Sequence, residues 1–191
     1  MREHNLAQSN RKKLWQLTIA DIIIIAVFGA ISRVVTVIGI MLPLPAPFGD
    51  LYFAIQLTLL LGICVAIIRK PLVVIIFVII QMLVNLLFFG GSPIWAAENM
   101  IFGIVTELVM LGVWYSTGHY GDKWWSVLIM GTVAAFMDFA ATYFIVLPYF
   151  YDTFYEAWFY VATAIPYTLS GTIMALVGWR IGASIRPLIG K

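Results

Sequence analysis

Residues 51–89 read LYFAIQLTLLLGICVAII RKP LVVIIFVIIQMLVNLLFF, two apolar runs, Leu51 to Ile68 and Leu72 to Phe89, parted by Arg69-Lys70-Pro71. About 20 apolar residues are needed to cross a bilayer core as a helix, and each run comes near that length. A helix closes its own backbone hydrogen bonds and so can enter hydrocarbon. Two cations and a proline between the runs predict a tight turn at the membrane surface, with Pro71 opening the second helix. The stretch therefore reads as a transmembrane hairpin.

Four more runs flank it: roughly Leu17 to Met41, Ala96 to Ser116, Trp124 to Leu147 and Ala157 to Ile181. With 63% hydrophobic and 10% charged residues in 191, and a mean hydropathy of +1.01, the chain is too apolar to give a soluble domain its polar cover. The expected fold is an all-α integral membrane protein, a compact bundle of six transmembrane helices. No soluble domain, linker or low-complexity tract interrupts it.

The eleven basic residues orient the bundle. Arg2, Arg11, Lys12 and Lys13 precede the first run, Arg69 and Lys70 follow the second, Lys123 follows the fourth, and Arg180, Arg186 and Lys191 close the chain. The other three connections carry no Lys or Arg, so the positive-inside rule predicts a multi-pass protein of the cell membrane with both termini cytoplasmic. Residues 1–16 are expected to form a cytoplasmic N-terminal segment, 17–182 the membrane domain and 183–191 a cytoplasmic tail. The first run is too long for a signal h-region and reads as a retained helix. Topology accounts for the basic residues, so the net charge of +2 gives no support for a nucleic-acid partner. The single cysteine, Cys64, excludes an intramolecular disulfide.

The three connections assigned to the outside, MLPLPAPFGD (Met41 to Asp50), FGGSPIW (Phe89 to Trp95) and PYFYDTFYE (Pro148 to Glu156), are rich in Pro, Gly and aromatic residues and suit folding over a site. Ionisable groups at membrane depth are costly unless paired or solvated, so each marks a candidate site. Arg33 lies about 24 Å along the first helix at 1.5 Å per residue, in the outer half. Glu107 is expected near mid-depth of the fourth helix, Glu98 and Asn99 at its outer end, Asp138 just outside the midplane of the fifth, and Gln81 and Asn85 in the outer half of the third. One cation against Glu98, Glu107 and Asp138 leaves a negative surplus that suits a cationic ligand. Arg33 reads either as an ion-pair partner of Asp138 or Glu107 linking helices, or as a ligand contact. Asn85, Asn99 and Gln81 also suit helix-to-helix hydrogen bonds. Most aromatic residues fall at span ends, where an interfacial belt accounts for them. Trp95, Tyr143 and Tyr167 remain as ring-stacking candidates.

Small residues four apart share a helix face. Ala26 and Ala30 with Gly29 beside them, Gly171 with Ala175, and Gly178 with Gly182 make flat strips, for packing inside the bundle or for a partner helix.

Four short motifs, IRKP at Ile68 to Pro71, GGSP at Gly90 to Pro93, GIVTE at Gly103 to Glu107 and LSG at Leu169 to Gly171, with the alanine strip and the loop pattern, resemble the S component of an energy-coupling factor (ECF) vitamin transporter. In order and spacing the motifs are most similar to the thiamine or hydroxymethylpyrimidine branch, the YkoE-type proteins. The resemblance implies a subunit that captures a vitamin or precursor near the outer face, under the loop Met41 to Asp50. It implies docking through Ala26 and Ala30 onto a transmembrane coupling subunit, with two ABC-type ATPases as motor. Glu107, Glu98, Asp138, Asn85, Asn99, Arg33, Trp95 and Tyr167 are the expected substrate contacts. That branch carries acidic residues on the third helix, where this chain has Gln81 and Asn85, so an S component for a different vitamin is an alternative.

An enzyme is not expected. His4 and His119 lie outside the runs, and the chain has no H-E-x-x-H, no G-x-S-x-G and no Cys/His cluster, so no catalytic residue, metal or cofactor is assigned. A self-sufficient secondary transporter is a further alternative, against which stands the lack of an obvious inverted repeat. Without a G-x-x-x-x-G-K-[ST] loop, ATP-driven transport needs a separate motor.

Overall fold

The computed structural model describes residues 16–42 and 48–190. Six apolar helices follow in order: α1 (Ile19–Met41), α2 (Phe48–Ile68), α3 (Val73–Phe88), α4 (Pro93–Thr117), α5 (Trp124–Tyr151) and α6 (Ala157–Ile185). A 3-10 turn, Arg186–Ile189, extends α6. Five of the helices are long and apolar enough to span a membrane; α3, at 16 residues, is apolar but shorter. At 1.5 Å per residue α3 reaches about 24 Å, less than a hydrocarbon core of about 30 Å.

Local chemistry sets these ends. Thr18 and Asp21 form a capping box at the start of α1. Ser92 caps α4, with Pro93 at its first turn, and Gly118 closes α4 in the left-handed region at φ 77°. Pro71 does not open α3 as predicted. Leu72 has φ 72°, which no helix propagates, so the helix starts at Val73 and Pro71 stays in the turn.

Helix α2 lies at the centre. Leu57, Leu61 and every residue from Ile63 to Ile68 are buried, and α6 runs close along it. The small residues of α6 permit this approach. A β-carbon at Gly178 would stand 2.1 Å from the Leu59 carbonyl oxygen and one at Gly182 2.5 Å from that of Ile63. Gly171 meets the Ala135 methyl, and Ala175 packs on Gly62 and Gly131. Both α6 strips are thus consumed inside the bundle. Helix α1 turns Asp21, Ile25, Gly29, Ser32, Thr36 and Gly39 inward, leaving Ile23, Val27, Val34 and Ile38 exposed, as lipid-facing residues are. Ala26 and Ala30 are half-buried along the flank of that exposed stripe.

The basic connections gather at one end. Lys70 Nζ bonds the Asp21 carboxylate and the Gln16 carbonyl oxygen at 2.8 and 3.0 Å, and Arg69 lies near Asp122 and Arg186. Trp179 Nε1 donates to the Gly121 carbonyl oxygen at 3.0 Å, tying α6 to the α4–α5 turn. The described segment thus begins and ends at the same end of the bundle.

Candidate functional site

At the opposite end, where α4 begins, the helices enclose a cavity of about 310 Å³. This is within the range for small-molecule pockets, about 300 to 1,000 Å³. Arg33, Thr36 and Ile40 of α1, Phe53, Gln56 and Leu57 of α2, and Gln81 of α3 form one side. Trp95, Glu98 and Asn99 of α4, Asp138, Thr142 and Tyr143 of α5, and Tyr167 of α6 form the other. The segment read as a lid, Met41 to Asp50, lies mostly outside the described residues.

The first side rests on a buried polar network. Thr36 Oγ1 donates to the Ser32 carbonyl oxygen at 2.9 Å and accepts from Gln56 Nε2 at 2.7 Å. Ser32 Oγ donates to Gln56 Oε1 at 3.0 Å and accepts from Gln81 Nε2 at 2.6 Å. These bonds join α1, α2 and α3 as buried polar groups must be joined. Ser32 and Thr36 share the inward face of α1 because residues four apart align.

The second side centres on two carboxyl groups. Glu98 and Asp138 face each other across the cavity wall. Thr142 Oγ1 donates to Glu98 at 2.9 Å, and Tyr167 OH donates to Asp138. Thr142 and Tyr143 reach the cavity from a π-helical turn, Thr142–Val146, that interrupts α5 just before Pro148. Such turns insert a residue and redirect side chains, frequently at functional sites. Tyr143 stacks on Phe139 at 4.6 Å between ring centroids and lies 5.8 Å from Tyr155. Trp95 is held by its Nε1 bond to Tyr151 OH at 3.0 Å, and Asn99 is turned onto the Trp95 carbonyl oxygen at 2.6 Å. The cavity thus offers planar apolar faces above a polar floor.

Arg33 stands between these groups. Among the described residues it makes neither of the anticipated ion pairs, with Asp138 or with Glu107. Its Nε is buried without a hydrogen-bond partner, and Glu98 is close enough to act on it electrostatically.

Six of the eight residues expected from the sequence therefore line one cavity: Arg33, Trp95, Glu98, Asn99, Asp138 and Tyr167. Glu107 and Asn85 do not. Glu107 lies toward the basic end, where its carboxylate accepts the backbone N–H groups of Leu72 at 2.8 Å, Val74 at 3.1 Å and Ile75 at 3.4 Å. It also accepts the Tyr120 hydroxyl at 2.9 Å. A helix start leaves its first amides unsatisfied, and an anion there answers both the amides and the dipole. The first turn of α3 thus packs against α4 at Glu107. Asn85 is buried under the turn that ends α3, where Phe89 N and Gly91 N both bond its carbonyl oxygen, and Gly91 packs on its side chain.

With Glu107 elsewhere, Arg33 shares the cavity with two acidic residues, Glu98 and Asp138, rather than three. Tyr143, a ring-stacking candidate, also lines the cavity, and Phe53, Thr36, Gln56 and Thr142 join the site without having been singled out. The i, i+4 pair Ser32 and Thr36 was the one visible signal, since two hydroxyl residues on one face of an apolar helix mark an inward stripe.

No family model and no curated protein matches this chain. Its fold is similar to a solved structure described as an S-component of an ECF transporter, with a TM-score of 0.64 and 19% sequence identity. The similarity covers 89% of this chain and 86% of that one. At that identity the likeness is one of fold.

Proposed function

We propose that this chain is the substrate-capturing subunit of an ECF-type importer for a vitamin or vitamin precursor, with thiamine or hydroxymethylpyrimidine as the first candidates. The observation that carries the reading is an S-component-like fold whose cavity combines aromatic faces, a carboxyl pair and an arginine at the end away from the basic turns. A planar aminopyrimidine can lie against Trp95, Tyr143 or Tyr167, with its amino or ring nitrogens on Glu98 and Asp138. The basic end is assigned to the cytoplasm by the positive-inside rule, so the cavity opens toward the outer face of the cell membrane. Ala26 and Ala30, at the edge of the exposed α1 stripe, are assigned to a coupling subunit that brings two ABC-type ATPases.

The purified chain should quench its tryptophan fluorescence on binding one of these compounds with a dissociation constant below about 1 μM, or −8.2 kcal/mol. Tyr167→Phe and Asp138→Asn should weaken that binding at least tenfold, about 1.4 kcal/mol. No submicromolar binding of either compound would remove the thiamine-branch assignment and leave an S component for another vitamin. Bulky residues at Ala26 and Ala30 should abolish uptake by the assembled importer while sparing substrate binding.

A proton-coupled carrier is the competing reading, favoured by the two carboxyl groups, Glu98 and Asp138, that line the cavity. Uptake into liposomes holding this chain alone, driven by a pH gradient, would establish it. Uptake only when the coupling subunit, the ATPases and ATP are added would exclude it.

A further inference from the structure

The network beneath the cavity has a direction. The Ser32 carbonyl oxygen can only accept, so the Thr36 hydroxyl spends its one proton there. Toward Gln56 it must then accept, which turns the Gln56 amide nitrogen to Thr36 and its oxygen to Ser32. The Ser32 hydroxyl donates to that oxygen and, having no second proton, accepts from Gln81. Gln81 is thereby turned with its nitrogen on Ser32 and its Oε1 over. That oxygen is buried and has no partner, on a residue that is 5% exposed and lines the cavity. An amide carbonyl left unbonded in such a place is costly, and a ligand donor would recover that cost. Arg33, the residue after Ser32, likewise keeps a buried N–H without an acceptor.

We propose that Gln81 is a specificity-determining residue whose fixed orientation offers the substrate an acceptor only, beside the Arg33 donor. The cavity accordingly takes a planar heterocycle that carries an N–H or O–H donor next to an acceptor atom. This rests on the reading of the cavity as a substrate site, and it adds the polarity of the bound edge. Sites built to bond a donor reject analogues that lack it far more strongly than apolar pockets reject a missing methylene.

The test compares hydroxymethylpyrimidine, whose amino group adjoins a ring nitrogen, with the analogue that has hydrogen in place of that amino group. Both are titrated against the purified full-length chain in detergent by tryptophan quenching. The expected result is at least tenfold preference for the amino compound in the wild type, lost in Gln81→Leu and kept in Gln81→Glu, which retains the acceptor. Thr36→Val should shrink the preference by freeing the chain of bonds to reverse, and Thr36→Ser should restore it. Equal affinities in the wild type overturn the proposal, and so does a preference that persists in folded, monodisperse Gln81→Leu. If neither compound nor thiamine binds, the donor-bearing pyrimidine class is wrong. The importer reading is then judged separately, by whether the chain co-purifies with a coupling subunit.

Discussion

Glu107→Leu should unfold the protein or lower its stability by about 3 to 5 kcal/mol, the range for removing one partner from a buried charged network. Three backbone N–H groups at the start of α3 and the Tyr120 hydroxyl all converge on that carboxylate, and leucine answers none of them. Burial and the neighbouring Glu107 push the Tyr120 phenol well above the usual tyrosine range, so it remains a donor where exposed tyrosines ionise. Its contribution is whole below the ordinary tyrosine value near 10 and is lost as pH rises beyond it, because only the unfolded chain then releases the proton readily. Tyr120→Phe should accordingly cost about 1 kcal/mol and flatten the alkaline limb of a thermal-stability profile. Glu107→Gln, which keeps one acceptor, should fall between Tyr120→Phe and Glu107→Leu. Because the cavity lies toward the other end, ligand affinity of Glu107→Gln protein that remains folded should be unchanged. A variant with normal melting and lost affinity would put Glu107 back in the binding site.

Gly178→Val should prevent the bundle from assembling. A β-carbon there would come within 2.1 Å of the Leu59 carbonyl oxygen and about as close as 3.0 Å to the Leu59 and Ile63 main chain. Backbone of a central helix cannot swing aside as a flexible side chain can. The cost should exceed about 3 kcal/mol, the upper range for ordinary overpacking, and appear as aggregation or loss of the monodisperse peak in detergent. Gly112→Ala is the control, since a β-carbon at Gly112 meets nothing within 4 Å. There alanine should raise stability by about 0.5 to 1 kcal/mol through helix propensity. Equal tolerance at both positions would contradict the close approach of α2 and α6.

The two variants divide what could be read in one dimension from what could not. The six helices, and the end at which Arg69, Lys70 and Arg186 gather, follow from run length and the spacing of charges. Both properties are local and are imposed on any chain by the thickness and dielectric of a bilayer. The same logic marked Arg33, Glu98 and Asp138, because an ionisable group inside an apolar run is anomalous before any neighbour is known. It also marked Glu107, which the fold places away from the cavity. Counting residues along α4 gives a depth but not the neighbour met there, which for Glu107 is the first turn of α3.

By itself, then, the sequence determined an all-α membrane bundle, its span order and a short roster of costly polar residues. Tertiary structure alone decided which of them meet. It placed Glu107 on the amides of α3 and turned the α6 glycines onto α2. It set Glu98 against Asp138 and left Arg33 and Gln81 with buried atoms facing no partner. The reason is physical: the cost of a buried charge belongs to the residue, whereas its satisfaction depends on distances of about 3 Å between helices, which no spacing along one chain specifies.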